Sequence, residues 1–101
     1  MDFPVKVGKE TRVTLAGKLD FARAPELMNT LTTLKGQDIS SIVFECKELT
    51  YISSSGIRAI MFAQQKIVPN MRIIMEDVCA DVSEVLDVCG LSEYIEFPEP
   101  K

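Results

Sequence analysis

The feature that most constrains the fold is a repeated change in the spacing of apolar residues along the chain. In some segments apolar and polar residues alternate, as on a half-buried strand, and in others apolar residues recur every three or four positions, as on one helix face. Val13 and Leu15 follow the first pattern, whereas Leu27, Leu31 and Leu34 follow the second. Alternating strands and helices predict a single α/β domain with a mostly parallel sheet and right-handed connections.

The pattern predicts four or five strands and three helices. The predicted strands are VKV at 5–7 on an edge, TRVTLA at 11–16, ISSIVFEC at 39–46, RIIM at 72–75 and a short YIEF at 94–97. The continuous apolar run 42–44 favours a strand that is buried on both faces. We interpret Lys47 and Glu48 as part of the connection that follows this strand.

The three predicted helices carry their apolar faces at 27–34, 57–68 and 82–89. Pro25 stands in the first turn of the first helix, where proline is tolerated, and Gly36, Pro69-Asn70 and Gly90 end the three helices in turn. The predicted core combines one face of these elements: Val13, Leu15, Leu27, Leu31, Ile42, Phe44, Ile57, Ile60, Met61 and Ile73.

Length and composition limit the class of protein. A chain of 101 residues provides one domain, spanning 1–101, with one modest core. No apolar run approaches the roughly 20 residues that cross a bilayer, and the first residues lack the pattern of a signal peptide, so we expect a cytoplasmic protein without a membrane partner. The net charge of −4 and the scattered basic residues argue against a nucleic-acid partner.

The absence of histidine argues against catalysis. Ser-His-Asp and Cys-His chemistry need an imidazole base, and no glycine-rich phosphate loop occurs; a serine–lysine pair is not excluded, but nothing supports it. The cysteines Cys46, Cys79 and Cys89 lack metal-binding spacing, so we interpret them as small buried hydrophobic residues in a reducing compartment. We therefore expect no enzyme, no metal and no cofactor.

Three consecutive serines in YISSSGIRAI, at 51–60, precede the second helix. One of them can cap the helix, because a serine oxygen accepts a hydrogen bond from a free amide of the first turn. The stretch also follows a buried strand, at the sheet edge where parallel α/β folds place their sites, and a phosphate is tolerated at a helix N-terminus. Capping and modification are compatible, since different serines can serve each purpose.

Three motifs in this order resemble the STAS family, which includes bacterial anti-sigma factor antagonists and domains appended to sulphate transporters. They are GKLD at 17–20, LTYISSSGIRAI at 49–60 and VLDVCGLSEYIEF at 85–97, and together they extend over essentially the whole chain. Within the central motif, Leu49 and Thr50 match the start of the family pattern and residues 54–57 match its end. The resemblance implies a STAS-like fold.

The resemblance also implies a partner-switching function. The unmodified antagonist binds an anti-sigma factor, which is itself an ATP-dependent serine kinase. This binding frees a sigma factor for transcription. The kinase phosphorylates the antagonist, and a phosphoserine phosphatase removes the phosphate. Carried over to this chain, the phosphorylated residue is Ser54. The implied partner-binding residues are Asp20, Ser53, Ser55, Gly56 and Arg58.

One departure from the family pattern leaves alternatives open. Many members have aspartate immediately before the acceptor, where this chain has Ser53, so Ser53 and Ser55 remain competing acceptors. The alternative function is a non-switching accessory subunit of a lipid-transport ABC complex, in which the serines form a static contact surface. A transporter-appended domain is less favoured because no membrane segment precedes the motifs. A serine hydrolase is less favoured because a catalytic base is lacking.

Overall fold

The computed structural model describes residues 5–36, 39–63, 72–90 and 95–97 of the chain. Four strands and three helices occur in these residues, in the order β-β-α-β-α-β-α. The strands are β1 (Val5–Lys6), β2 (Glu10–Leu19), β3 (Ser41–Ile52) and β4 (Arg72–Glu76), and the helices are α1 (Ala24–Thr32), α2 (Ser54–Phe62) and α3 (Ala80–Val88). The predicted alternation is therefore confirmed.

The strands form one mixed sheet in the order β1-β2-β3-β4. β1 pairs antiparallel to β2 at one edge, while β2, β3 and β4 are parallel. Val13 pairs with Phe44 and, at the ends of the same two strands, Leu19 pairs with Ile52. Because β2 and β3 run in the same direction, the segments that leave these two strands start side by side.

The helices share their core with one face of the sheet. Leu27 and Leu31 from α1, Ile57 and Ile60 from α2, and Leu86 from α3 belong to a single cluster with alternate residues of the strands. Nine of the ten predicted core residues are buried, and the prediction for Met61 is wrong, since it is 38% exposed. On α2 the buried face is completed by Ala59 and Ala63, so Met61 lies outside it.

β3 is longer than the sequence indicated. It continues through Lys47 and Glu48, which were interpreted as a connection, because Leu49 and Ile52 return to the buried face beyond them. A shift in the β2–β3 register near Thr14 and Ala16 accommodates this irregular stretch. The serines consequently follow β3 directly.

The other predicted boundaries are confirmed in part. Gly90 directly follows the C-cap residue Cys89 and has a φ of 76°, the left-handed conformation that glycine adopts after a helix. The prediction for Gly36 is wrong, because α1 already ends at Thr32 with its C-cap at Thr33. The predicted strand 94–97 is reduced, in the described residues, to one parallel bridge between Ile74 and Glu96. The predicted continuation of α2 beyond residue 63 and its end at Pro69-Asn70 lie outside the described residues.

Arg12 forms an ion-pair cluster on the sheet face opposite the helices. Its guanidinium donates to Glu45 on β3, to Glu76 on β4 at 2.6 Å and to Glu10 on its own strand at 2.7 Å. The hydrogen bond from Arg12 lowers the pKa of Glu45, and Thr14 donates a further hydrogen bond to that carboxylate. This cluster links three adjacent strands through charged groups that bind one another.

Only one of the three cysteines fits the sequence interpretation. Cys46 is buried, whereas Cys79 and Cys89 are exposed, so the expectation of burial is wrong for those two. They occupy the N-cap and C-cap positions of α3, whose buried residues are Val82 and Leu86. They keep the three-residue spacing from that buried stripe but lie beyond the two ends of the helix, where they are exposed.

Candidate functional site

The ends of β2 and β3 bring two of the predicted site segments together. The backbone amide of Ser53 donates to the carbonyl of Leu19 at 2.9 Å, and Leu19 pairs with Ile52. Asp20 and Ser53 therefore each follow one of two paired residues at the carboxyl edge of the sheet. This register brings Asp20 and the serines, both implied in the partner surface, to the same edge of the sheet.

The three serines have different environments. Ser53 is the N-cap of α2, with φ −95° and ψ 174°, and its Oγ accepts a hydrogen bond from the amide of Gly56 at 3.2 Å. Ser54 is the first residue of the helix and is exposed, whereas Ser55 is half-buried. The carbonyl of Ser53 accepts the first α-helical hydrogen bond, from Ile57 at 3.0 Å. Capping thus falls to Ser53, and Ser54 presents its hydroxyl at the surface.

Gly56 fixes how closely the first turn of α2 approaches the sheet. A Cβ atom at this position would lie 2.8 Å from the carbonyl oxygen of Leu19 and 2.8 Å from Cγ1 of Ile52. Because one of these atoms belongs to the backbone and the other to a buried side chain, a shift of either is costly, and the position favours glycine. The same contact places Ser54 and Ser55 beside the segment that begins at Asp20.

The segment between β2 and α1 is held by hydrogen bonds of its own. The Asp20 carboxylate accepts from the amides of Ala22 at 3.2 Å and Arg23 at 3.1 Å. The Arg23 guanidinium donates to the carbonyl of Ala16 at 2.7 Å, which ties the start of α1 back to β2. Asp20 thus stabilises the turn that leads from β2 into α1.

A shallow groove of about 200 Å³ lies between α1 and α2 beside the serines. Phe21, which is 76% exposed, forms one side of it and Arg58 contributes from α2. The rest of its lining comprises Ala24, Pro25, Met28 and Ser55. Sequence reasoning placed Ser55 and Arg58 in the site but missed Phe21; the available signal was a large aromatic residue next to Asp20 that belongs to no apolar periodicity.

The site combines the serine hydroxyls with the carboxylate of Asp20 and the guanidinium of Arg58. The protein has no histidine, and the described residues contain no group of ligands suited to a metal ion. Burial raises the pKa of the Cys46 thiol to about 12, with a smaller contribution from the nearby Asp77 carboxylate, so this sulfur stays protonated at neutral pH. None of the helices in the described ranges is long and apolar enough to cross a bilayer.

The family model of the STAS domain matches residues 4–100. The chain therefore belongs to the STAS domain family, as its motifs indicated. No curated protein sequence matches it.

Solved structures with the same fold include three described as follows. The anti-sigma factor antagonist SpoIIAA in its unphosphorylated form shares 15% identity at a TM-score of 0.72, covering 98% of this chain and 89% of its own. The Bacillus cell fate determinant SpoIIAA in its phosphorylated form has 17% sequence identity and a TM-score of 0.73, and the match covers 96% of this chain and 91% of that one. An anti-sigma factor antagonist from Mycobacterium paratuberculosis has 14% sequence identity and a TM-score of 0.82, and the match covers 96% of this chain and 85% of that one. At these identities the similarity shows the shared fold.

Proposed function

We propose that this protein is an anti-sigma factor antagonist controlled by phosphorylation of Ser54. In this proposal the unmodified protein binds an anti-sigma factor that is also a serine kinase, and a phosphoserine phosphatase reverses the modification. The observation that carries the proposal is the different environment of the three serines: Ser53 caps α2, Ser55 is half-buried and Ser54 is exposed at the first helical position.

The structural relatives support the proposal at the level of their described activities. Two of the three are described as anti-sigma factor antagonists, and SpoIIAA has been solved both with and without phosphorylation. We infer that this chain uses the fold for the same purpose, in the cytoplasm where such a kinase works.

The proposed partner surface combines the first turn of α2 with the segment before α1. Asp20, Ser53, Ser55, Gly56 and Arg58 are the residues that the motifs assign to it. Asp20 and Gly56 act by shaping the surface, through the amide hydrogen bonds of one and the close contact of the other. Ser54, Ser55 and Arg58 are positioned to contact a partner directly.

Phe21 extends this surface onto α1. An exposed aromatic ring beside a groove is typical of the residues that contribute most to protein–protein affinity. We therefore include Phe21 in the partner surface, with Met28 and Pro25 as apolar residues that line its side of the groove.

The domain should stay folded when Ser54 is phosphorylated, whereas partner binding should be lost. A phosphate adds about −1.5 to −2 charges at neutral pH, and the amides of the first turn of α2 and the helix dipole favour a negative charge there. In a complex the same group must lose its water against the partner, beside the carboxylate of Asp20. Removing a charge from water without a compensating partner costs several kcal/mol, so we expect release without unfolding.

We also propose that the domain is not an enzyme. A serine nucleophile here would need a base, and the chain has no histidine. The buried Cys46 is protonated, which removes the thiol in the core as a nucleophile.

The acceptor can be tested by incubating the purified protein with lysate of its own cell and ATP and mapping phosphate by mass spectrometry. We expect phosphate on Ser54, its loss in Ser54→Ala and its retention in the matched control Ser55→Ala. Phosphate on Ser53 or Ser55 in the unaltered protein would contradict the assignment. Absence of phosphate from all three serines would instead favour the static accessory subunit.

A further inference from the structure

Arg58 lies one helical turn after Ser54 on α2. Residues four apart on a helix are neighbours, with Cβ atoms about 5–6 Å apart. Helical side chains lean toward the N-terminus and cover the turn that precedes their own Cα. The groove lining agrees, since Arg58 lines it together with Ser55 from the first turn.

Arg58 also differs from the other three arginines in having no partner among the described residues. Arg12 binds three carboxylates, and Arg23 donates to the carbonyl of Ala16. Arg72 forms a bidentate pair with Glu96, with hydrogen bonds of 2.6 and 2.7 Å. In the described part of the chain no hydrogen bond or ion pair involves Arg58, which is exposed. No described residue therefore competes with an anion at the first turn for this guanidinium.

We propose that Arg58 binds the phosphate of phosphorylated Ser54 within the same helix, an inference that rests on the proposed modification of Ser54. A phosphate offers three strong acceptor oxygens, and a guanidinium presents its donors in a planar arrangement that matches them. An acid that precedes a base by four residues has the more favourable order for such a pair on a helix.

This ion pair gives the modification a second effect on the proposed partner surface. Unmodified, Arg58 contributes a cation to one wall of the groove. Phosphorylated, Ser54 attracts that cation to the first turn, so the groove loses a positive charge while its rim gains a negative one. A partner carboxylate that Arg58 would bind is then left without a counter-charge.

The test uses protein in which phosphoserine is inserted at position 54 during translation, so that it needs neither kinase nor partner. Phosphorus NMR in low salt measures the second pKa of the phosphate. This pKa is ordinarily about 6. The charged or titratable groups of the neighbouring segments include Lys18, Asp20, Arg23, Glu26 and Tyr51, and they are the same in every variant. Arg58→Gln removes the cation, Arg58→Lys retains a charge with fewer donors, and Lys35→Gln removes a charge beyond the far end of α1.

We expect Arg58→Gln to raise the second pKa by about 0.3, an ionisation constant about two-fold lower. Arg58→Lys should restore part of the difference, Lys35→Gln should have little effect, and 1 M salt should abolish the difference. Equal pKa values for the unaltered protein and Arg58→Gln, or an equal rise in Lys35→Gln, would overturn the proposal.

If the phosphoserine protein does not fold, thermal unfolding of Ser54→Asp, Arg58→Gln and the double variant gives the same information. A favourable coupling between the two positions supports the pair, and additive effects contradict it. Failure of this test leaves Ser54 phosphorylation untouched, and absence of phosphorylation in cells leaves the pair testable. The two proposals therefore fail separately.

Discussion

The Arg12 ion-pair cluster lies on the sheet face opposite the helices, the open face, and serines 53–55 lie at the start of α2, the serine edge. Both regions are polar, but they differ in how many of their polar groups already have a partner. On the open face, Arg12 is bound by Glu10, Glu45 and Glu76. At the serine edge, Ser53 is engaged as a helix cap, but Ser54 is exposed and Arg58 has no partner in the described part of the chain.

The difference separates two uses of charge in one small domain. Opposite charges that bind one another across strands specify pairing and register and leave little for a partner. An exposed hydroxyl, a cation that no described residue binds and an exposed aromatic ring contribute little to folding. Their presence together at one sheet edge is consistent with the proposed partner surface. Variants at the two regions should therefore affect different measurements.

Among the substitutions, Phe21→Ala is expected to have the largest effect, on partner affinity. Loss of an aromatic anchor typically weakens binding by 2 kcal/mol or more, which is about 30-fold. The melting temperature should hardly change, because the ring is 76% exposed. Calorimetric titration against the anti-sigma factor measures the loss. Val88→Ala, which removes an exposed apolar side chain from α3, is the matched control, and equal effects of the two would remove Phe21 from the interface.

Gly56→Ala should have the next largest effect, on stability. The added methyl would meet Leu19 and Ile52 at under 3.0 Å, and such overpacking costs roughly 1–3 kcal/mol. Denaturant unfolding measures it. At Gly8 the same change meets only the carbonyl of Glu10 at 3.8 Å, so Gly8→Ala is the control. A stable Gly56→Ala protein would show that the first turn of α2 is not fixed by this contact.

The serines themselves should separate in a stability measurement. Ser53→Ala removes the N-cap hydrogen bond to Gly56 and should lower the free energy of unfolding by about 1 kcal/mol. Ser54→Ala should change it little, because its hydroxyl is exposed. Equal losses for both variants would contradict the assignment of capping to Ser53 alone.

The smallest effect concerns pH and the open face. Because the pKa of Glu45 is lowered in the folded protein, its ion pair stabilises the fold above the ordinary pKa of about 4.3. That contribution is lost as pH falls below this value and the carboxylate is protonated. Glu45→Gln should therefore be less stable at pH 7 by under about 1 kcal/mol, and the difference should vanish in acid. Glu48→Gln, on the same strand, is the control; a difference that persists at low pH would exclude the ion pair as its cause.

Sequence reasoning predicted the alternation of elements, nearly all of the tested core and the helix that begins at the serines, because each depends on local periodicity or capping. It failed where tertiary packing overrides a local signal. Lys47 and Glu48 resemble a turn, yet Leu49 and Ile52 keep the strand in the sheet. Phe21 was missed because exposure of an aromatic residue depends on how α1 packs beside α2, and no periodicity reports it.

The most direct test of the central claim is the affinity of the anti-sigma factor for the protein with and without phosphate on Ser54. Calorimetric titration should show binding of the unmodified protein and of Ser54→Ala, and binding at least about 100-fold weaker when position 54 carries phosphoserine. The modified domain should melt near the unmodified one, because the first turn of α2 tolerates the charge. Equal affinities of the modified and unmodified proteins would contradict the account and leave Ser54 as an exposed residue without a regulatory role.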